Sequence, residues 1–542
     1  MTSTRPWPTR RQLLAGVGGV ATLALAPGPV RAQVDFRADP FGLGVASGDP
    51  APDGFVLWTR LAPYPLEPER LGPTTYLVDW DVARDEAFTN IAATGTARAV
   101  PALAHAVHVE VAGLEANRWY FYRFRLGKSV SRTGRARTLP APDTALDKLR
   151  LSYASCAHFE HGFFTAYKFM AEDQPDLILH LGDYIYEGSW GTRRVRLFEP
   201  EETVTLAQYR RRYATYRTDP DLQRAHAAAP WVVVFDDHEV QNDFAGDISQ
   251  DAVCAGAAYN QAAFHARRMA AYQAYYEHMP LRKSTLLAGG NVRLNRGFAY
   301  GDLVNLVMLD ERSFRSPQAC AAPATPERCD GPKRLTPGGA GGGQVADVDA
   351  SCKAELDDPK RTILGADQES WAAGQLKSKA IWTAIGQGVP FAHLNQGTKD
   401  APRIWTDGWS GYPPARQRLV NAVRKSGARN PVFLTGDVHA YWVIDVTADA
   451  QNANSPVIGT EFVGTSISAE NSPDRSHLMG DLNPRALFHN AKTHGYVLMD
   501  FARDKLETRL VVVNDVTDPR TTRADLARFA IEAGRPGAKP VV

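Results

Sequence analysis

Two kinds of apolar pattern divide this chain. From residue 36 to about 138, apolar and polar positions alternate in short runs: Phe55-Val56-Leu57-Trp58-Thr59, Tyr76 to Val82, and Val107-His108-Val109-Glu110-Val111. After a turn at Gly113-Leu114, the aromatic Trp119-Tyr120-Phe121-Tyr122-Arg123-Phe124 continues it. Period two sets one face of a strand on a core and the other on solvent, so this stretch is predicted to be all-β. Leu139-Pro140-Ala141-Pro142-Asp143 ends it, because consecutive X-Pro steps disfavour continuation of helix or sheet. From Lys148 onward, continuous apolar runs alternate with segments of helical period. The runs are Leu149 to Tyr153, residues 176–181, residues 231–235, Leu303 to Leu309, Ile381 to Ile385, Pro431 to Thr435, Val457 to Val463, Gly495 to Phe501 and Leu506 to Val513. The helical segments are Phe163 to Glu172, Thr205 to Tyr216 with Tyr209, Tyr213 and Tyr216 on one side, Met269 to Tyr276, Ala366 to Ala380 and Ala415 to Lys425. Arg296 to Tyr300 and Leu303 to Leu309 form a hairpin signal across Gly301-Asp302. Helices between buried strands predict a mixed α/β core over 148–520. Residues 521–542 are expected to form a C-terminal helix or tail.

Five of these strands empty into chemistry. Leu149–Tyr153 leads to Cys156, 176–181 to Asp183, and 231–235 to Asp236-Asp237-His238-Glu239. Ile381–Ile385 leads to Gln387, and Pro431–Thr435 to Asp437-Val438-His439. Sites in α/β sheets gather at the carboxyl ends of strands, so these residues are expected to meet. Adjacent carboxylates repel, and leaving water costs each several kcal/mol. Something positive must lie among them, and a pair or cluster of metal ions is the expectation. Thiolate, phenolate and imidazole together suit a transition metal, whereas carboxylate oxygens suit Ca2+ or Mg2+. The donor set therefore predicts an asymmetric pair. His105 and His108 are read as solvent-facing strand residues. His158 and His161 are open between contact with a substrate phosphate and packing, and His180 is read as structural.

Charge adds an export leader to this picture. The first 32 residues carry Arg5, Arg10, Arg11 and Arg31 and no acid, which leaves 57 basic against 60 acidic residues in the rest of the 542-residue chain. That balance gives no basic field for nucleic acid. Thr9-Arg10-Arg11-Gln12-Leu13-Leu14, an apolar run from Ala15 to Ala26, and Val30-Arg31-Ala32 read as a twin-arginine signal cleaved after Ala32. The run is too short to span a bilayer, which takes about 20 residues, so the mature protein is expected to be periplasmic or secreted with no transmembrane segment. Export permits disulfides among Cys254, Cys320, Cys329 and Cys352, with three connectivities open. Cys156 is the odd cysteine, which a ligand role explains. Residues 316–361 hold Thr336-Pro337-Gly338-Gly339-Ala340-Gly341-Gly342-Gly343 and are read as a flexible insertion.

Together these residues resemble the alkaline phosphatase D (PhoD-like) family of the calcineurin-like metallophosphoesterase superfamily. The likeness rests on Ala154-Ser155-Cys156, His180-Leu181-Gly182-Asp183-Tyr184-Ile185-Tyr186-Glu187, Asp236-Asp237-His238-Glu239-Val240, Ala271-Tyr272-Gln273-Ala274-Tyr275-Tyr276-Glu277 and Gly436-Asp437-Val438-His439. The resemblance implies a metallophosphoesterase-type α/β sandwich core preceded by a small immunoglobulin- or fibronectin-like all-β domain over 36–138. It implies an Fe3+ held by Cys156, Tyr186 and His439, with Asp183 bridging to one or two Ca2+ held by Asp237, Asp437 and Asp243; another divalent metal is an option. His238 would be the general acid, while hydroxide formed at the metals attacks phosphorus. Gln387 stands where many superfamily members carry a metal-binding histidine. The expected activity is hydrolysis of a small phosphate ester, or of a phospholipid or nucleotide, after passage through the twin-arginine machinery. The rivals are a phosphodiesterase or phospholipase D-type hydrolase on the same site, and an inactive exported metal-binding or interaction protein.

Overall fold

The computed structural model describes residues 36–199, 201–252, 256, 259–320, 345–452 and 454–541. The export leader, Cys254, Cys329 and the glycine-rich run at 336–343 lie outside the described residues.

Two large sheets face each other. The first has ten strands, in the order Arg535–Pro540, Arg523–Glu532, Lys505–Val513, His494–Ala502, Lys148–Ala154, Leu177–Leu181, Pro230–Val234, Val45–Ala51, Gly54–Arg60 and Ala106–Val111. The second runs Arg296–Tyr300, Val304–Met308, Trp382–Gly386, Pro431–Thr435, Val457–Val463, Tyr441–Thr447 and Ala486–Asn490. Their central strands are parallel, and Leu177–Leu181, Pro230–Val234, Val304–Met308, Trp382–Gly386 and Pro431–Thr435 are buried along their whole length. A parallel strand covered on both faces needs apolar residues on both, which is why these segments read as unbroken apolar runs. One core joins the sheets: Leu151, Leu179 and Val232 pack in one cluster with Leu306, Ala384, Val432 and Leu434. The opposite-facing Val307, Ile385 and Phe433 pack instead with Ala372 of helix Ala366–Gln375 and its C-cap Leu376, and with Leu419 and Val423 of helix Pro413–Ser426. Among the described residues no helix is long and apolar enough to cross a membrane.

The N-terminal region is all-β, but its two layers have different owners. One layer is a separate sheet of Ile91–Ala99, Tyr76–Ala83, Trp119–Leu126, Ser129–Val130 and Gly134–Arg137. The other is the far end of the ten-stranded sheet, joined where Ser47 and Gly48 pair in parallel with Pro230 and Trp231. At Gly48 a Cβ would lie 2.6 Å from the carbonyl oxygens of Pro280 and Trp231, so this junction requires glycine. The proline-rich linker at 139–143 therefore separates sequence segments rather than sheets.

Three expectations are corrected. Residues 523–540 form a β-hairpin, not a helix. The Ala- and Arg-rich composition suits a helix, but Phe529 and Ile531 at period two are buried and Gly534 turns the chain at φ +83°. His108 is not solvent-facing: its ring stacks on Tyr276 at 4.3 Å, and its Nε2 lies 3.0 Å from the Tyr276 and Met279 carbonyls. His105 is buried too, with Nε2 2.9 Å from the Thr74 carbonyl. The flanks of the insertion are anchored rather than loose. Val345–Asp347 pairs with Arg403–Trp405, helix Ala350–Leu356 follows, and Cys320 is bonded to Cys352.

Candidate metal centre

The carboxyl ends of both sheets' parallel strands meet at one place. Ligand atoms of Cys156, Asp183 and His439 lie within 4.8 Å of one another, as do those of Asp183, Asp237 and His238, and those of Asp236, Asp237 and Asp437. Asp183 belongs to two of these groups, so one carboxylate faces both halves of the site.

Backbone conformation marks the same residues. Cys156, Asp183, Asp243, Asp437 and His439 have φ of 61°, 55°, 55°, 69° and 50°. The left-handed region costs a non-glycine residue about 1–3 kcal/mol and persists where surrounding structure enforces it, typically at functional sites. Cys156, Asp183, Asp437 and His439 lie within four residues of the ends of their strands, and Asp243 lies in the loop after Pro230–Val234. Gly182, at φ +109°, turns the chain before Asp183; a Cβ there would lie 2.3 Å from Cβ of Asp236. Gly182→Ala is therefore expected to cost about 2 kcal/mol or more through strain and overlap. The denaturant midpoint of the purified variant measures that loss.

The first half of the site has more acceptors than protons. Tyr186 Oη lies 3.0 Å from Asp183 Oδ2 and 2.9 Å from His439 Nε2. His439 Nδ1 donates to the Glu470 carbonyl at 2.7 Å, so Nε2 is the unprotonated nitrogen. Burial holds His439 down near pKa 4, hence neutral. One hydroxyl proton cannot satisfy both neighbours of Tyr186. Cys156 is a free, buried thiol beside them. Burial, then the charge of Asp183, pushes the Cys156 thiol well up, and the same two causes push up the Tyr186 hydroxyl. A cation among these atoms would reverse the shifts of Cys156 and Tyr186 and keep His439 neutral.

The second half is a cluster of carboxylates. Asp237 Oδ2 accepts from the Asp243 N–H at 2.6 Å, and its Oδ1 accepts from the His238 N–H at 3.0 Å. Asp243 and Asp437 are pushed well up, first by burial and then by neighbouring carboxylates. Oδ2 of Asp437 and Oδ2 of Asp236 are buried with no hydrogen-bond partner among the described residues. Orphaned carboxylate oxygens next to a thiol, phenol and imidazole fit one hard and one softer cation.

Four residues of the site were given no role from the sequence. Arg312 lies wholly buried in the carboxylate cluster, bonded through Nε to Asp236, with Nη2 2.8 Å from Asp407 and 3.7 Å from Asp237. Arg315 also pairs with Asp407. Part of the positive charge the sequence demanded is thus a fixed guanidinium, which accounts for Asp236. The strand Val304–Met308 empties into Asp310-Glu311-Arg312 just as the other site strands do, so a cue existed. Glu187 is the third: its Oε2 is 2.6 Å from His238 Nδ1, while Oε1 accepts from the Asn242 N–H at 2.7 Å. Burial disfavours charge on His238, but Glu187, Asp237 and Asp183 outweigh it and hold the ring protonated well above its ordinary range. Glu239 is the fourth, accepting from Asp183 N, Tyr184 N and Asp236 N at 3.1, 2.6 and 2.9 Å and tying two strand ends together.

The remaining sequence candidates have other work. Gln387 ends its strand but its Nε2 donates to Thr435 Oγ1 at 3.3 Å. His158 and His161 stack on each other at 3.6 Å, and both are buried. His180 bonds to Tyr167 Oη at 2.9 Å within the core.

Residues 151–510 match the model of the PhoD-like phosphatase, and residues 26–140 that of the PhoD-like phosphatase, N-terminal domain. Alkaline phosphatase D of Bacillus subtilis (strain 168) is 40% identical over 551 residues, covering 98% of this chain and 89% of that protein. A solved structure described as "Structure of PhoD" superposes with a TM-score of 0.85 at 40% identity, covering 94% of this chain and 93% of that one.

Proposed function

The chain belongs to the PhoD-like phosphatase family and is a phosphoric ester hydrolase, and from that premise we propose a two-metal site in which His238 is the proton donor. Cys156, Tyr186, His439 and Asp183 would hold an Fe3+, and Asp183, Asp237, Asp437 and Asp243 one or two Ca2+. The observation that carries this reading is Asp183 shared between a thiol–phenol–imidazole group and a group with Asp237 and His238, where Asp237 in turn belongs to the carboxylate group of Asp236 and Asp437. Cations held there would supply charge for the phosphoryl oxygens and acidify a water.

The protein's own part follows from its hydrogen bonds. Glu187 fixes His238 through Nδ1 and stabilises the imidazolium, so the transferable proton sits on Nε2. That proton goes to the oxygen of the leaving alcohol as its bond to phosphorus breaks. Arg312 bonds to Asp236 and Asp407 and, at 3.7 Å, helps keep Asp237 ionised, the form that can face a cation. Enclosure of these groups makes each charge more effective than it would be in water.

Hydrolysis of a panel of phosphate monoesters and diesters, with and without chelator, tests the reading. Chelator-sensitive turnover supports it; turnover indifferent to chelator removes it. The same panel separates a monoesterase from a diesterase or phospholipase D-type enzyme. In His238→Ala, alkyl esters are expected to slow by roughly 10²–10⁴-fold and nitrophenyl esters much less, because a good leaving group needs no proton. Equal loss on both classes would remove the acid role while leaving the metals. The twin-arginine leader supports export, and the mature chain is expected to begin after Ala32; N-terminal sequencing of the exported protein checks it.

A further inference from the structure

One side chain packed against the iron-type half is neither a ligand nor an acid. Trp190 lies in residues 188–198, which have no regular secondary structure. It forms a small buried cluster with Cys156, Tyr186 and Ala469. Its indole is stacked on the His439 ring at 5.9 Å and 12°, and lies 5.8 Å from the Tyr186 ring. Edge contacts to His161 at 4.6 Å and to His158 at 5.3 Å close its other side. Only 7% of Trp190 is exposed, although it sits on an irregular segment.

That segment is latched at several points. The Trp190 carbonyl accepts from His161 Nε2 and from Arg194 Nη1, both at 2.7 Å. His161 can donate there because its Nδ1 accepts from the Glu470 N–H at 3.1 Å. One Glu470 carboxylate oxygen accepts from Thr192 N at 2.6 Å and Arg193 N at 2.5 Å. Gly191, at φ +72°, lets the chain come that close; a Cβ would lie 2.8 Å from Glu470 Cδ. The Glu470 backbone carbonyl meanwhile fixes the tautomer of His439. One residue thus holds both the strap and the imidazole beneath it.

We propose that Trp190 is a positioning residue that caps the Cys156–Tyr186–His439 half of the site, and that Glu470 is the latch of that cap. The inference rests on the metal reading above. The indole face prevents rotation of His439 away from its ligand pose and keeps water, chelators and oxidants from the Cys156 sulfur. Exposure and thiolate character together govern cysteine oxidation, so a buried thiolate ligand gains most from such a cover. Groups that orient metal ligands typically change metal affinity by about 10–100-fold when removed.

The experiment compares the purified holoprotein with Trp190→Ala, Trp190→Phe and Glu470→Ala, using metal content, visible absorbance and Cys156 alkylation read on its peptide by mass spectrometry. Trp190→Ala is expected to lose transition metal to a chelator about 10-fold faster or more, to shift the phenolate-to-metal band, and to alkylate faster at Cys156, while Ca2+ content stays unchanged. Trp190→Phe keeps a ring over His439 and should restore retention. Glu470→Ala should leak like Trp190→Ala, because the bond to His439 comes from its backbone and survives. Unchanged metal release and alkylation in both alanine variants overturn the cap, as does equal loss of both metals. A wild-type protein with neither colour nor transition metal removes the metal reading itself, and the cap with it.

Discussion

Asp183→Asn is expected to lower kcat/KM by about 10³-fold or more and to release both kinds of metal, the largest effect at any single position. Asp183 Oδ2 faces Tyr186, and the same carboxylate stands within ligand distance of Cys156 and His439 on one side and of Asp237 and His238 on the other. An amide has the same shape but no charge, and one oxygen becomes a donor that repels a cation. Charge stabilisation by bound metals is worth several kcal/mol, and each 1.36 kcal/mol is tenfold in rate. The stability of the stripped protein should move the other way. Burial raises the carboxyl of Asp183 well above its ordinary value against the pull of His238, and Asp237, Asp236 and Glu239 add to the rise. Such a group contributes stability below its unfolded pKa and loses it as pH rises through the folded one. Metal-stripped Asp183→Asn is therefore expected to melt higher than metal-stripped wild type at pH 8. Thermal melts with and without chelator, beside elemental analysis, check both signs. A stripped variant less stable than stripped wild type would contradict the crowding of charge inferred here.

Arg312→Met is the second large effect, and it is one of stability. Arg312 is wholly buried and is the partner of Asp236 and Asp407, which are themselves buried. Removing one member of a buried ion network strands the others and typically costs about 3–5 kcal/mol. Methionine keeps the volume, so the cost isolates the charge. Burial already raises Asp236 to about 6 with the guanidinium pulling it back down. Without Arg312 that carboxyl rises further and is more easily protonated. The deficit should accordingly grow as pH rises from 5 through 6 to 8, above a part already present at pH 5 because Arg312 holds the Asp407 carboxyl below its ordinary range and charged there. Denaturant midpoints at pH 5 and pH 8 measure it; a deficit equal at both pH values would contradict the pairing of Arg312 with an Asp236 that titrates near 6.

Much of the site was legible because its residues end strands. Cys156, Asp183, Asp237 and Asp437 each follow an apolar run that the fold buries in parallel pairing, and strand ends in such sheets converge. His238 could be separated from the ligands only through its family resemblance; in the fold, Glu187 at its Nδ1 gives the physical reason. The C-terminal hairpin was misread because its composition favours helix, and only pairing of Arg523–Glu532 with Lys505–Val513 outweighs that preference. His108 was misread because alternation says which residues share a face, not what later covers that face. Here helix Gln261–His278 does, through Tyr276.

By itself, then, the sequence determined which segments are buried strands, where each opens into chemistry, and that a surplus of carboxylates requires positive charge. Those are properties of a short window, set by the side-chain period and by the cost of burying like charges. Tertiary structure alone decided how the charge is shared between a fixed guanidinium and a cation. Arg312 is 76 residues from Asp236 and 95 from Asp407 in sequence, yet in bonding distance of both. Coulomb interactions in a low-dielectric interior depend on separation in space. Strand order in the two sheets sets that separation, and no local pattern encodes it.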